Sequence, residues 1–409
     1  MKRTLISVSP LLLGVAILLT GQGLQGTLLP VRANMEGFST LAIGLMGGAY
    51  FFGFTLGCLR GSTLVRKVGH IRVFAAMTAI ASAAPLFHGL WQEPWLWWLL
   101  RFVTGYCFAV LYVVIESWLN EQSTNETRGA VFSAYTLITL TVLAVGQQML
   151  LLYDPKQMSL FAIASAIVSI AAIPVVLSVA PSPAQTEKKV KLDLRRLYRI
   201  SPAGTLGCLA AGLANGSFWA LAPSFVFGYS TDVSLAAWFM TAAVLGGAAG
   251  QWPLGLWSDR IDRRWVIAFA SLVGLIMGVL IWQFYSQVST LSLMLMSAAW
   301  GAVAFPIYAV SVANANDNAK PGEFVMISSG LLLMYGLGAI AGPFLSAMIM
   351  NLAGPGGLYF FAAGVHLILL GYTIYRISQR SHPPEEEHMP FSESLASAQT
   401  ASNIYEEEM

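Results

Sequence analysis

The stretch Gln22-Gly-Leu-Gln-Gly-Thr-Leu-Leu-Pro30 has a counterpart in Asn215-Gly-Ser-Phe-Trp-Ala-Leu-Ala-Pro223, which begins 193 positions later in the same chain. Each stretch places a glycine directly after a side-chain amide, and each ends on a proline. A fixed offset of this kind indicates an internal repeat, so each half must contain the same series of elements.

The repeat extends well beyond these two stretches. The offset is 193 in the first part of each half and 196 in the later part. The matching pairs are Gly53/Gly246, Gly57/Gly250, Gly105/Gly301, Tyr112/Tyr308 and Gly146/Gly342.

The composition places the chain in a membrane. Apolar residues make up 56% of its 409 residues and charged residues only 10%, whereas soluble domains contain about 25% charged residues. A net charge of +2 gives no case for nucleic acid binding. The three cysteines lie far apart within apolar runs, which predicts packing roles and no metal site.

Twelve apolar runs are long enough to cross about 30 Å of hydrocarbon. Runs of this length and apolarity are helices in lipid. The sequence therefore predicts an all-α membrane protein, with twelve transmembrane helices in two six-helix pseudo-symmetric halves. The predicted spans are 9–30, 40–63, 72–91, 96–118, 129–152, 158–180, 202–227, 234–256, 265–285, 289–313, 324–350 and 356–377.

These spans divide the chain into four parts. The N-terminal half covers 1–180, a basic linker 181–200, the C-terminal half 201–378, and an acidic tail 379–409. Low hydrophobicity and glutamate runs predict that the tail is disordered. The first apolar run has a repeat mate, so we interpret it as a spanning helix and not as a removable signal peptide.

Basic residues are distributed unevenly between the two sides. With the N-terminus inside, the inner segments hold 19 lysines and arginines and the outer loops only Arg32 and Lys156, with Arg101 left within a span. The positive-inside rule therefore predicts a multi-pass protein of the cell inner membrane, with both termini cytoplasmic.

Several motifs resemble the major facilitator superfamily. Gly255-Leu-Trp-Ser-Asp259-Arg260-Ile-Asp262-Arg263-Arg264 is similar to the signature loop G-x-x-x-D-R-x-G-R-R, with Asp262 in place of glycine. The loop after the second helix, which contains Arg66, Lys67, Gly69 and Arg72, is a poorer match and lacks the acidic residue.

Motifs inside the spans extend the resemblance to about residues 5–378. Arg101-x-x-x-Gly105 resembles the R-x-x-x-G motif of the fourth helix. Gly338-x-x-x-Gly342-Pro343 resembles the G-x-x-x-G-P motif of the fifth helix, displaced here to the eleventh. The run Ile115-Glu-Ser-Trp-Leu-Asn120 is similar to the YcaD-like group of bacterial permeases. The resemblance implies the twelve-helix fold and a transport function.

Arg101 is the foremost candidate for a substrate contact. A charge within a span normally faces a partner or a water-filled cavity. The alternatives are an anion contact, membership of a proton-linked charge network, or snorkelling to the outer interface.

Other candidates follow from the repeat and from the family's cavity-lining helices 1, 4, 7 and 10, aided by 2, 5, 8 and 11. Interhelical hydrogen bonding and packing remain the alternative roles for these side chains. The predicted substrate-binding residues are Gln22, Gln25, Tyr112, Asn215, Trp219, Tyr308 and Tyr335, together with Arg101, and weaker candidates are Tyr50, Tyr135, Gln147, Trp238 and Gln251.

Glu116 shares a helix face with Arg101 and Tyr112. It is either a proton carrier or, as in sugar porters, a structural partner of the loop cations Arg66, Lys67 or Arg72; the structural or gating role is favoured. His366 is expected to be a satisfied structural histidine and His88 to be solvated. The tryptophans Trp91, Trp95, Trp97 and Trp98 are expected to anchor the outer boundary.

The signature loops are predicted to latch the cytoplasmic side. Asp259 would hold this gate, with Arg260, Arg263 or Arg264 nearby and the start of the eleventh helix at Phe324 across the interface. The positive end of a helix dipole favours an anion there.

The sequence thus predicts a secondary active transporter that moves a small solute by alternating access, coupled to protons. Arg101 favours an anionic or zwitterionic solute, whereas the aromatic lining leaves efflux of drug-like amphiphiles as an alternative. A non-transporting receptor or scaffold lacks a fused domain, and an enzyme lacks a catalytic cluster. No cofactor is expected; the expected partners are the small-molecule substrate, a proton or other coupling ion and the lipid bilayer, and the protein is expected to be a monomer.

Overall fold

The computed structural model describes residues 2–123, 128–177, 193–319, 323–379 and 391. These residues form α-helices joined by short loops, with one 3₁₀ helix at Met149–Leu152. The α-helices are α1 (Lys2–Met35), α2 (Thr40–Val68), α3 (His70–Leu90), α4 (Pro94–Glu121), α5 (Arg128–Gln148), α6 (Ser159–Ile170), α7 (Ala172–Val176), α8 (Leu194–Ile200), α9 (Pro202–Tyr229), α10 (Val233–Ser258), α11 (Arg263–Phe284), α12 (Thr290–Ala304), α13 (Pro306–Asn316), α14 (Phe324–Ala353) and α15 (Gly357–Gln379).

Twelve segments within the described residues are long and apolar enough to span a membrane, which confirms the predicted six-plus-six arrangement. The sixth span consists of α6 and α7, and the tenth consists of α12 and α13. The tenth was predicted as continuous, but it breaks at Phe305 because Pro306 has no backbone N–H to continue the helix.

The repeat glycines occupy equivalent positions in the two halves. A Cβ on Gly53 of α2 would overlap the Phe102 carbonyl oxygen of α4. A Cβ on its mate Gly246 of α10 would overlap the Ala298 carbonyl oxygen of α12 in the same way. Only a residue without a side chain allows these backbones to approach so closely. The fixed spacing in the sequence therefore corresponds to the same helix crossing in each half.

The two halves meet mainly along four pairs of helices. Helix α2 packs against α14 and α9, α5 packs against α10, and α1 packs against α9. We call the end of the bundle at Val68–His70 and Ser258–Arg263 the basic face. The opposite end, at Met35–Thr40 and Tyr229–Val233, is the far face.

Direct hydrogen bonds join the halves at the far face. Asn34 Nδ2 of α1 donates to Ser224 Oγ of α9 over 2.8 Å. Gln148 Nε2 of α5 donates to Thr241 Oγ1 of α10 over 2.8 Å, and that hydroxyl donates to Gln147 Oε1 over 3.0 Å. Among the described residues, these are the hydrogen bonds that connect one half with the other, so the far face is closed.

Small residues bring the halves together beside these bonds. A Cβ on Gly44 of α2 would lie 2.7 Å from both the Ala347 Cβ and the Pro343 carbonyl oxygen of α14. Nearer the middle of the bundle, Gly336 of α14 packs against Thr55 of α2. The interface between α2 and α14 therefore leaves little room for any larger side chain at the far face.

The described end of the linker attaches to the C-terminal half. Asp193 caps α8, and Leu197 is fully buried against Gly330 of α14. Arg196 forms an ion pair with Glu323, directly before α14. The remainder of the predicted linker, 181–192, and all of the predicted disordered tail except Gln379 and Phe391 lie outside the described residues.

Candidate functional site

The candidate site begins at a close crossing of α2 and α4. A Cβ on Gly105 would overlap the Tyr50 carbonyl oxygen, so glycine brings the Tyr50 backbone against α4. Arg101 lies one turn before Gly105, and its Cζ lies 4.1 Å from the centroid of the Tyr50 ring. A desolvated cation on an aromatic face gains about 2 kcal/mol. Arg101 Nε is buried without a hydrogen-bond partner.

Gln22 of α1 joins this pair to the next turns of α4. Its Nε2 donates to the Tyr50 hydroxyl over 2.9 Å, and its Oε1 accepts from the Tyr112 hydroxyl over 3.0 Å. Gln22 and Tyr112 are only partly buried although they lie near the centre of the bundle. The structure therefore brings together three sequence-predicted residues, Arg101, Gln22 and Tyr112, and adds Tyr50 as the residue that connects them.

The C-terminal half contributes mainly aromatic side chains. The rings of Tyr308 on α13 and Tyr335 on α14 have centroids 4.8 Å apart. Trp219 of α9 stacks on Phe305 with a centroid distance of 5.5 Å and an interplanar angle of 9°. Phe305 lies at the break between α12 and α13, which turns its ring toward α9. These four side chains are partly buried.

The two sets of residues belong to one site between the halves. Tyr335 lies beside Asn215 of its own half, and the next residue, Gly336, packs against Thr55 of α2 in the opposite half. Asn215 is 4% exposed, and its Oδ1 has no hydrogen-bond partner. The site thus has a cation, an amide and phenol hydroxyls on one side and stacked rings with an amide on the other.

Gln25, another predicted substrate residue, has a different environment. Its side chain is 2% exposed, and neither amide atom has a hydrogen-bond partner. The adjacent helix turn carries Gln22, which forms two hydrogen bonds. Gln25 is therefore a buried, unsatisfied amide and does not join the connected cluster.

The expectation that His88 is solvated is wrong, and His366 is buried as expected but lacks the expected hydrogen bonds. His88 is fully buried, not solvated, with Nδ1 2.7 Å from the Ala84 carbonyl oxygen. His366 is buried, but neither ring nitrogen has a hydrogen-bond partner, because the ring packs over Gly274 and near Trp300. Among the four predicted boundary tryptophans, Trp91 and Trp95 are at least half exposed, whereas Trp97 is fully buried.

Glu116 faces α5 and not the loop cations. It is 2% exposed, and the Tyr135 hydroxyl donates to its Oε1 over 3.3 Å. Within the described residues Glu116 forms no ion pair with Arg66, Lys67 or Arg72; Lys67 and Arg72 are exposed and Arg66 is half-buried. The predicted structural pairing with those cations is therefore not present, because Glu116 points into the half.

In the signature loop, Asp262 stands where the family pattern has glycine. Asp262 caps α11 by accepting from the Arg264 backbone N–H over 3.0 Å. The same carboxylate binds the Arg264 guanidinium, with contacts of 2.7 and 2.9 Å to Oδ2. An acidic cap and an ion pair thus replace the expected glycine, and Arg264 also reaches the Arg376 carbonyl oxygen of α15.

Arg263 anchors the loop inside the C-terminal half. Its side chain is fully buried, and Nε donates to Asp317 Oδ2 at the end of α13 over 2.7 Å. A weaker contact of 3.3 Å joins its Nη1 to Asp259 Oδ1. That carboxylate oxygen also accepts from the Phe391 backbone N–H over 2.9 Å. Arg260 is exposed.

The predicted partner of Asp259 across the interface is wrong. Asp259 follows the end of α10, which pairs with α5 of the other half, whereas α14 belongs to the same half as α10 and pairs with α2. The helix start that lies across the interface from Asp259 is therefore that of α5 at Arg128. In this structure Asp259 contacts Arg263 and Phe391.

Three important residues were underrated or missed. Tyr50 was a weaker candidate, and only the α2–α4 crossing shows that it connects Arg101 to Gln22. Phe305 could have been found from the proline that follows it in mid-span. Asp317 is the buried partner of Arg263, and the signal for it was an acidic residue directly after the tenth span.

Known proteins are similar to this chain in sequence. The family model of the Major Facilitator Superfamily matches residues 11–230 and 204–402. The chain is 26% identical over 375 residues to an uncharacterized MFS-type transporter, YcaD, of Escherichia fergusonii, which covers 91% of this chain and 96% of that protein.

Solved structures share the fold. The nucleoside transporter NupG aligns with a TM-score of 0.77 at 13% identity, over 91% of this chain and 99% of that one. A bacterial homologue of the human lysosomal transporter Spinster, in an inward-facing and occupied conformation, aligns with a TM-score of 0.73 at 14% identity, over 94% and 98% of the two chains. With twelve spans in two repeated halves, a signature loop after the eighth span and a family match across most of its length, this chain belongs to the Major Facilitator Superfamily.

Proposed function

We propose that the protein is a secondary active transporter that moves a small anionic or zwitterionic solute across the inner membrane by alternating access. The position of Arg101 is the observation that supports this proposal most directly. Its guanidinium lies inside the bundle on the Tyr50 ring, and no carboxylate pairs with it within the described residues. A charge at this depth costs several kcal/mol unless a partner is present. A carboxylate or phosphate of the solute would supply that partner.

The rest of the site suits the remainder of such a solute. Gln22, Tyr50 and Tyr112 offer an amide and hydroxyls for polar groups. The stacked pair Trp219 and Phe305 offers a flat apolar face on the opposite side. A small molecule with one anionic group and one apolar or aromatic group would use both sides.

The stacked pair also favours a second candidate function, efflux of drug-like amphiphiles. Aromatic faces bind diverse apolar ligands without fixed hydrogen-bond geometry. The two functions differ in their dependence on Arg101, since a neutral or cationic amphiphile gains nothing from that guanidinium.

Orientation follows from the charges. We assign the basic face to the cytoplasm because 19 of the 22 lysines and arginines lie in segments on that side. Both termini then lie in the cytoplasm. The closed far face would then be the outer side, and we infer that this conformation is the inward-open state.

The signature loop is the proposed cytoplasmic gate. Thr241 and Asp259 lie 18 residues apart, about five turns at 3.6 residues per turn, so both lie on the face of α10 that meets α5. Rocking of the halves that separates the far face would bring Asp259 onto the start of α5. The positive end of the α5 dipole would then stabilise the carboxylate. Arg263 and Arg264 hold the loop in position, and Arg66 and Arg72 belong to the corresponding loop of the other half.

Glu116 is the proposed proton-carrying residue of a coupled mechanism. It is a buried carboxylate within a span, one turn from Tyr112 and hydrogen-bonded to Tyr135. Tyr112 connects through Gln22 to Tyr50 and Arg101. The protonation state of Glu116 is thereby linked by three side chains to the cation proposed to bind the solute.

A paired thermal-shift screen tests the proposal. Purified wild type and Arg101→Ala are screened against metabolites and antibiotics, because a ligand of the native state raises its melting temperature. Anionic or zwitterionic compounds should stabilise the wild type and not Arg101→Ala, and the best should be taken up by proteoliposomes under a pH gradient. Stabilisation of both proteins by neutral or cationic amphiphiles alone would favour efflux instead, and the absence of flux for every stabilising compound would overturn the transport proposal.

A further inference from the structure

Asp259, the proposed gate residue, accepts a hydrogen bond from Phe391 of the protein's own C-terminal tail. The Phe391 backbone N–H donates to Asp259 Oδ1 over 2.9 Å. The Phe391 side chain is 8% exposed and packs into the apolar core of the C-terminal half. Phe391 is therefore held both by its backbone and by its ring.

The Phe391 ring packs directly against Gly255. A Cβ at this position would overlap Phe391 Cδ1, and the three heavy atoms nearest to it all belong to the Phe391 ring. Gly255 is the first residue of the signature motif and Asp259 the fifth, so Phe391 covers the motif's glycine and its acid together.

The tail is acidic just before Phe391 in the sequence, at Glu385-Glu386-Glu387. The exposed cation of the signature loop is Arg260, because Arg263 and Arg264 are buried in ion pairs with Asp317 and Asp262. Opposite charges near a surface attract one another, and salt weakens that attraction. The acidic run before Phe391 thus favours a binding surface that carries an exposed arginine, as Arg260 does.

We propose that Phe391 is an autoinhibitory clip, which binds Gly255 and Asp259 in the inward-open state and must leave before the cytoplasmic side can close. Asp259 and Thr241 lie on the same face of α10, the face that meets α5, and Gly255 lies about 40° around the helix from that face. The start of α5 and Phe391 therefore compete for one surface. The inference rests on the alternating-access function proposed above, although the binding of the clip can be measured without any solute.

Double electron–electron resonance measures clip and gate separately. Cys58, Cys107 and Cys208 are first replaced by alanine. Spin labels at Ser394→Cys and Trp265→Cys report the clip, and labels at Ser62→Cys and Trp265→Cys report the width of the cytoplasmic side. The variants are Phe391→Ala and Gly255→Ala, and the matched control is Tyr405→Ala, which removes the tail's other aromatic ring.

A short, narrow clip distance is expected in the wild type and in Tyr405→Ala. Phe391→Ala and Gly255→Ala should each broaden that distance and shift the gate distance at least twofold in population toward the closed state. Truncation after Gln379 should give the same gate shift. Raising salt from 50 to 500 mM should broaden the wild-type clip distance.

Two results would overturn the inference. An unchanged clip distance in Phe391→Ala shows that Phe391 does not hold the tail. A broadened clip distance with an unchanged gate population shows that the clip has no regulatory effect. Both readings stand even if no transported solute is found, so failure of the proposed function is a distinct outcome.

Discussion

The guanidinium of Arg101 lies over the ring of Tyr50, with its Cζ 4.1 Å from the ring centroid. The contact exists because Gly105 admits the Tyr50 backbone against α4 one turn further along. A planar, delocalised cation can stack on the ring and still direct N–H groups to a ligand, which a compact ammonium cannot do in the same geometry. The contact with Tyr50 therefore requires a planar cation at position 101.

Arg101→Lys should lower uptake of the anionic solute about tenfold or more, equivalent to at least about 1.4 kcal/mol of binding. The charge is kept, but the stacking and the bidentate geometry are lost. Uptake into proteoliposomes measures the effect, and normal size-exclusion behaviour controls for folding. Wild-type uptake by both Arg101→Lys and Arg101→Ala would show that the residue is an interfacial anchor.

Gln22 and Gln25 form a matched pair on α1. Gln22→Leu leaves the Tyr50 and Tyr112 hydroxyls without their partner and should reduce ligand-induced thermal stabilisation. Gln25→Leu removes a buried amide with no hydrogen-bond partner, so it should raise stability by about 1–3 kcal/mol and leave ligand binding intact. Melting temperatures with and without ligand separate the two effects. A loss of ligand stabilisation in Gln25→Leu would place that amide in the binding site after all.

Asp259→Asn should shift the protein toward the inward-open state. The neutral amide loses the attraction to the start of α5, about 0.3–1 kcal/mol at a helix terminus, so the closed population should fall by roughly two- to fivefold. Distances between spin labels across the cytoplasmic side, on Ser62→Cys and Trp265→Cys, measure this population in the tail-truncated protein, where the clip cannot compete. Unchanged distances there would remove Asp259 from the gate.

Reporter fusions test the orientation. The charge asymmetry predicts cytoplasmic reporter activity for fusions at Ser182 and after Arg380. A fusion at Thr231, in the loop between α9 and α10, should instead report the outer side. Periplasmic activity at Ser182 or Arg380 would reverse the assignment of the two faces.

The fold could be predicted from the sequence because only helices and closed barrels can span a lipid bilayer. Apolar length fixes the spans, and the repeated glycines mark crossings such as Gly53 with α4, where a side chain cannot fit. The break at Phe305 was not foreseen, since the apolar run continues through Pro306 and gives no change in hydropathy there.

For the candidate site, the sequence predicted several of the residues but not the contacts between them. Arg101, Gln22 and Tyr112 stand out as polar groups within spans, and the structure brings them together. Their link through Tyr50 depends on how α2 is rotated against α4, which no local pattern encodes. The partner of Asp259 was mistaken because it depends on which helices meet between the halves. Phe391 lies in a tail whose composition predicts disorder, although an isolated aromatic residue there was a signal of a contact.

Alternating access requires the two halves to rock against each other, and a bulky residue at Gly44 tests that motion. Gly44→Trp would force α2 away from Ala347 and Pro343 of α14 at the far face. Gly371→Trp is the matched control, because a side chain at Gly371 of α15 meets open space. Double electron–electron resonance distances are measured at the far face, between Gln157→Cys and Thr231→Cys, and at the basic face, between Ser62→Cys and Trp265→Cys. Alternating access predicts that Gly44→Trp lengthens the first distance and shortens the second, with Gly371→Trp unchanged. A longer far-face distance with an unchanged basic-face distance would contradict the account.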